Sequence, residues 1–356
     1  MAYTTIDDSE LYFQTKLFSG TGGGGGSLTL DGSENMQPDM VWSKSRTEAL
    51  NHTLFDSVRT AGSNKELTPN SNSAEGGANS AGFGYISAFN TNGFTWTAGS
   101  TNTENFNKSS QTYAHWCWKA GTSFTNDASS TGIGTIDSTG SVSDTAGFSI
   151  VTWTGTGSAG TIKHGLSTAP SAIITFCRST GYHHSTFHHK NTSAPETEIV
   201  YLNLTNATSD DSGFWNDTAG TSSVFSVGDD NSVNQSSETY VAYIFSERQG
   251  YFKAGSYIGN GNADGTFVYT GFKPAWVMVK QTNASGEGWH ILDNKRSGVN
   301  GDMERLLANS PNAESNYAGY LDLLSTGFKT RINDPGVNTS GGSYIYMAFA
   351  EQPFVN

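Results

Sequence analysis

An aromatic-x-Gly-x-Gly motif occurs three times in this 356-residue chain, at Phe18–Gly22, Trp153–Gly157 and Tyr257–Gly261. Each motif is followed by a Pro that opens an apolar run: Pro38 to Lys44, Pro170 to Arg178 and Pro274 to Lys280. Lys44 and Lys280 share an offset from Pro, where the middle copy has Phe176. Asn107, Asn234 and Asn338 each stand six residues before a tyrosine (Tyr113, Tyr240, Tyr344), and an aromatic follows each tyrosine at +5 (Trp118, Phe245, Phe349). Registered columns of this kind define a repeat architecture. They place copies at 18–120, 148–250 and 251–356, with an arm at 1–17 and a Ser/Thr/Gly-rich linker at 121–147. The short join between copies two and three predicts closer packing there than between copies one and two.

Ser, Thr, Asn and Gly make up nearly half of the chain, which disfavours long helices. Only Asp302 to Ala308 reads as helical. Short runs alternating apolar and polar, separated by Gly, Asn and Asp turns, predict an all-β chain of three tandem β-sandwich, jelly-roll-like repeats. Tyr344 to Phe349 is apolar on both faces, as a central strand is. A net charge of −13 without a Lys/Arg run argues against nucleic acid, and no apolar stretch is long enough to span a membrane. Cys117 and Cys177 lie in apolar runs and read as buried free thiols.

The candidate chemistry is sparse. His52, Asp56 and Arg59 suggest an acid–base set, but the Asp-x-x-Arg element recurs at Asp293 and Arg296 without a registered nucleophile, so a structural role is favoured. A Leu-x-x-Asn-x-x-x-Ala-Glu pattern follows it in both copies, ending at Glu75 and Glu314. Copy two has neither; it carries His183, His184, His188 and His189, which are weak metal candidates because neighbouring residues of a strand point to opposite faces. Leu11, Tyr12 and Phe13 in the arm suit docking on a partner. Trp96, Trp215 and Trp289 are candidates for stacking on sugars. No catalytic residue and no cofactor is expected.

Several segments resemble virion-associated proteins of tailed bacteriophages that infect marine bacteria: Met1 to Thr15, Asp31 to Trp42, Gly259 to Lys280, Asp293 to Arg296, and Tyr344 to Phe354. The resemblance extends over nearly the whole chain, to a tail fibre-like tandem-repeat family. It implies a virion component made in the host cytoplasm and transfers no catalytic residues. The leading expectation is a non-enzymatic tail fibre or spike-type adhesin that contacts a host surface glycan or protein receptor. The alternatives are a capsid decoration or head-fibre protein anchored by the arm, and a surface-glycan depolymerase. Other virion proteins are the expected partners. The quaternary expectation is either a homotrimer or a pseudo-threefold monomer.

Overall fold

The computed structural model describes residues 4–296 and 300–352. Met1 to Tyr3 of the expected arm, and Pro353 and Phe354 of the last resembling segment, lie outside them. The protein is all-β, built from antiparallel sheets.

The first repeat sets the pattern. Strands β1 (Phe13–Ser19), β2 (Gly26–Leu28), β3 (Met40–Ser45), β4 (Thr53–Asp56), β5 (Tyr85–Asn90), β6 (Gly93–Thr97) and β7 (Thr112–Trp118) form a larger sheet, β1-β7-β3-β4, and a smaller one, β2-β6-β5. The first strand pairs with the last, and the second with the last but one.

The middle repeat keeps that winding, but its larger sheet is widened to eight strands. Its strands are β8 (Thr122–Asn126), β9 (Ser138–Ser143), β10 (Phe148–Thr154), β11 (Gly160–Lys163), β12 (Ala172–Cys177), β13 (Ser185–His188), β14 (Glu198–Tyr201), β15 (Ser209–Asp210), β16 (Val224–Val227) and β17 (Thr239–Phe245). Here β10 pairs with β17, and β11 with β16. The third repeat has β18 (Phe252–Ile258), β19 (Phe267–Tyr269), β20 (Lys273–Gln281), β21 (Trp289–Asp293), β22 (Asp302–Leu307), β23 (Ser315–Ala318), β24 (Leu321–Leu324), β25 (Gly327–Thr330) and β26 (Ser343–Gln352). There β18 pairs with β26, and β19 with β25.

Two expectations are corrected. Residues 121–147 are not a linker: β8 and β9 extend the sheet beyond β10, in the register Thr125–Thr139–Thr152. Small residues give no apolar alternation to read, yet they pair in unbroken register as the outer strands of the sheet. Asp302 to Ala308 is not helical either. It forms β22 between β21 and β23, because Met303 and Leu306 are buried in different apolar clusters, a packing demand that overrides local propensity.

The central strands are apolar on both faces because both faces are covered. Along β26, Tyr344, Tyr346 and Ala348 pack inside the third sandwich, while Ile345, Met347 and Phe349 point the other way. In β17, Tyr240, Ala242 and Ile244 alternate with Val241, Tyr243 and Phe245 in the same manner. In β7, Cys117 faces its own sandwich, and Ala114, Trp116 and Trp118 face away. The outward sets of all three repeats merge into one cluster. At its centre Phe13 stacks on Phe349 at 5.0 Å, Phe252 on Phe349 at 4.7 Å and Phe148 on Phe245 at 4.8 Å. The residual space there is about 10 Å³, at most the room of a single water. The three larger sheets therefore surround a filled common axis, and closeness does not follow linker length. Cys117 and Cys177 are buried and free.

The repeated motifs have repeated jobs. Asn107 Oδ1 accepts from Thr21 N, Asn234 Oδ1 from Thr156 N and Asn338 Oδ1 from Asn260 N, at 2.7–2.9 Å. The tyrosine six residues on donates to Glu104 O, Asn231 O or Pro335 O and accepts from the backbone of Lys108, Gln235 or Thr339. Both glycines of the motif are required. The second has φ of 75°, 73° and 70° in the three copies. A Cβ on the first would sit 2.3 Å or less from the carbonyl oxygen of Lys108, Gln235 or Thr339. Gly259→Ala is expected to destabilise the protein by about 1–3 kcal/mol, as overpacked sites do. Urea denaturation measures it, and an unchanged midpoint would contradict this role.

Candidate functional site

The titratable residues singled out by the sequence lie between repeats, and they form a threefold pattern. Ring N–H groups at three equivalent positions each donate to a backbone carbonyl of another repeat. His52 Nε2 reaches Leu307 O at 3.0 Å, His184 Nε2 reaches Thr68 O at 3.0 Å, and Trp289 Nε1 reaches Tyr201 O at 2.9 Å. Three backbone bonds run round the ring in the opposite sense: Glu75 N to Arg178 O, Thr208 N to Thr282 O and Glu314 N to Arg46 O, at 2.7–2.8 Å. Each repeat thus touches both others, and head-to-tail contacts close a ring.

The Asp-x-x-Arg elements belong to this ring. Asp293 takes Arg296 Nε at 2.6 Å and the indole N–H of Trp116, from repeat one, at 2.9 Å. Arg296 and Arg46 both reach Glu314. Asp56 likewise takes Arg59 Nε and the hydroxyl of Tyr243, from repeat two, each at 2.6 Å. Glu75 receives Arg59 and Arg178. Burial pushes the Glu75 carboxyl up, but Arg178 and Arg59 outweigh it and hold it at about 2.

The middle repeat needs a different residue. The position equivalent to Trp116 and Tyr243 is Met347 in repeat three, which has no hydrogen to donate. Accordingly His188 stands where the others have Asp, and its Nε2 donates to Tyr346 O at 3.0 Å. Burial pushes His188 down to about 3 and His184 down to about 4, so both are neutral. His189 Nε2 bonds Ala254 O, and His183 Nδ1 accepts from Asn203. The four histidines are thus divided among separate backbone and side-chain partners. Among the described residues, no three His, Cys, Asp or Glu side chains form a metal-holding group. The metal expectation is corrected: the His188 and His189 rings lie 5.7 Å apart, but their Nε2 atoms are spent on the Tyr346 and Ala254 carbonyls, and His184 and His183 are engaged elsewhere.

The sugar-stacking and docking candidates are also corrected. Trp96, Trp215 and Trp289 are at most 5% exposed, and indole faces packed into cores cannot meet a sugar. Phe13 is buried in the common core against Phe349 and Trp118, and Tyr12 packs edge-on to Tyr251. Leu11 ends a short 3-10 turn beside them. The arm docks on its own chain, because β1 begins at Phe13 and completes repeat one.

The exposed large apolar side chains among the described residues are Ile258, Phe267 and Tyr269, all in repeat three. Phe267 and Tyr269 rim a cleft of about 400 Å³ at the mouth between the two sheets of that sandwich. Lys253, Gly255 and Tyr257 of β18 form the opposite wall, and Lys190 and Glu247 of repeat two close one side. A second cleft of about 240 Å³ adjoins it along Glu247, Lys253 and Tyr269. Lys253 Nζ lies 5.7 Å from the Tyr269 ring centre. The equivalent mouths are shut. In repeat one, the positions of Lys253 and Gly255 are Gln14 and Lys16, bound to Gly32 N and to Asp31. In repeat two they are Ser149, bound to His164 O, and Val151, buried in that repeat's core. In repeat three, glycine removes the plug, and a Cβ there would lie 2.5 Å from the Tyr346 hydroxyl. That hydroxyl forms no hydrogen bond among the described residues, and it sits on the cleft floor. Nothing in the sequence marked this cleft except Gly255, a glycine in an otherwise ordinary strand.

Fold and site together define an all-β protein whose three repeats form one ring-closed body, with the aromatic-rimmed cleft in the third repeat and a larger polar one of about 660 Å³ beside β8, β9 and β10 of the second. The chain belongs to the family of the domain of unknown function DUF7483, whose family model matches residues 8–353 and so runs across all three repeats. No curated protein and no solved structure matches the chain.

Proposed function

We propose that this protein is a non-enzymatic binding protein that holds a saccharide in the cleft between β18 and β19. We propose further that it serves as a tail fibre or spike-type adhesin of a bacteriophage particle. The observation that carries the binding role is the opened mouth of repeat three, with two solvent-facing aromatics over a floor that offers an unpartnered hydroxyl. Aromatic faces with a few convergent polar groups are what a pyranose ring requires. The virion setting rests on the sequence resemblance. We read the three units as tandem jelly-roll-like sandwiches, because first-with-last and second-with-penultimate pairing is the winding of that fold. The ring of repeats gives the cleft a rigid platform, which keeps the ordering cost of binding low.

Purified protein is expected to bind host cells and to block phage adsorption. Tyr269→Ala, which removes an exposed side chain and leaves the fold intact, should weaken both by about tenfold or more, the range of a binding hot spot. Equal binding by the wild type and Tyr269→Ala would overturn the assignment of the cleft. Release of sugar fragments from host polysaccharide by the purified protein would overturn the non-enzymatic reading.

A further inference from the structure

Resting on that saccharide reading, we infer that the cleft selects sugars carrying a carboxylate, of the uronic acid kind. The chain has 32 acidic against 19 basic residues, so basic groups should be consumed by acidic partners. Many are, as at Lys16–Asp31, Lys65–Glu75, Lys273–Glu351 and Lys329–Asp264. Two that line this cleft are not. Lys190 is exposed and Lys253 half-buried, and among the described residues neither amine lies within ion-pair distance of a carboxylate. They come from different repeats, so their convergence is a product of the ring.

Glu247 lines the same cleft and bears on the charge. Its carboxylate accepts the Ala254 N–H at 3.2 Å and stands 3.6 Å from His189 Nε2, so it is partly occupied, although Lys253 is near enough to act on it. Two amines and one carboxylate leave the cleft net positive on a protein of net charge −13. A pyranose stacked on Tyr269 and Phe267 would place a ring carboxylate toward Lys253 and Lys190. Its hydroxyls would be left for the Tyr346 hydroxyl, Ser256 and Glu247. Lys253 over the Tyr269 ring also braces the aromatic face.

The probe pair is trigalacturonate and its fully methyl-esterified form, which keeps the rings and removes the charge. Each is titrated calorimetrically into the full chain. The acid is expected to bind about tenfold more tightly than the ester at low salt, as two partly exposed ion pairs allow. That preference should shrink at about 0.5 M salt, where such pairs are screened. Lys190→Gln with Lys253→Gln should abolish the preference, so that acid and ester bind with equal affinity; a variant that keeps the tenfold preference would overturn the inference. Equal affinity of the wild type for acid and ester would overturn the inference and leave the saccharide reading standing. Binding of neither probe by a protein that still blocks adsorption would do the same. Failure to bind both host cells and probes would remove the reading on which the inference rests.

Discussion

Lowering the pH from 7 to 4 is expected to unfold this protein in one step, driven by its buried histidines. His52, His115, His164, His184, His188 and His290 are buried, and burial pushes each below its ordinary value of 6.5. His184 falls to about 4, and His115 and His188 to about 3. The unfolded chain takes up protons below 6.5 that the folded chain refuses, so stability falls as the pH drops through that window. Each such histidine removes about 1.4 kcal/mol per pH unit. A few acting together exceed the ~5–15 kcal/mol that typically holds a folded domain. Three of them, His52, His184 and His188, hold one repeat to another, so acid attacks the ring directly. His52 Nδ1 accepts the Trp42 indole N–H at 2.9 Å, and protonation abolishes that bond. Burial also lowers Lys44 to about 7 and Lys280 to about 8, so at alkaline pH stability should rise further as the pH climbs from those values toward 10.5. Urea midpoints followed by tryptophan fluorescence from pH 8 to 4 test this. A midpoint that holds steady down to pH 4 would contradict it.

Asp293→Ala is expected to cost about 3–5 kcal/mol, the usual penalty for removing one partner of a buried ion pair. Asp293 and Arg296 side chains are wholly buried. Without the carboxylate, the guanidinium is left with Glu314, the Ile291 carbonyl and the face of Trp116, and the Trp116 indole N–H loses its acceptor. The loss spans repeats one and three, so it should lower the stability of the whole molecule rather than of one sandwich. Denaturation of Asp293→Ala beside the wild type measures it. A change below about 1 kcal/mol, the size of an exposed ion pair, would show that the pair is not buried as described.

The fold was legible where a residue type answers a local demand. The Gly-x-Gly turn and the Asn–Tyr pair act within one repeat, through contacts close to the backbone, and so they recur in register. The Asp-x-x-Arg element was legible as a turn-holding pair, but not as one half of a junction. Its other half, Trp116 or Tyr243, sits on a strand of a different repeat, and only assembly brings them together. The same holds for the middle copy: His188 replaces Asp because Met347, far along the chain, cannot donate. Two-faced strands such as Tyr344 to Phe349 announced that both faces are covered without naming the cover. That silence made the Phe13 segment look free and the buried tryptophans look available. The cleft was the least legible feature, since it arises from a missing side chain at Gly255 and from lysines of two repeats.

All of these junctions require that the three repeats stand or fall together. Differential scanning calorimetry of the intact chain tests this most directly. The shared core predicts one transition, with calorimetric and van't Hoff enthalpies in agreement, as for a single cooperative unit. Two or three separate transitions, each with the enthalpy of one sandwich, would contradict it.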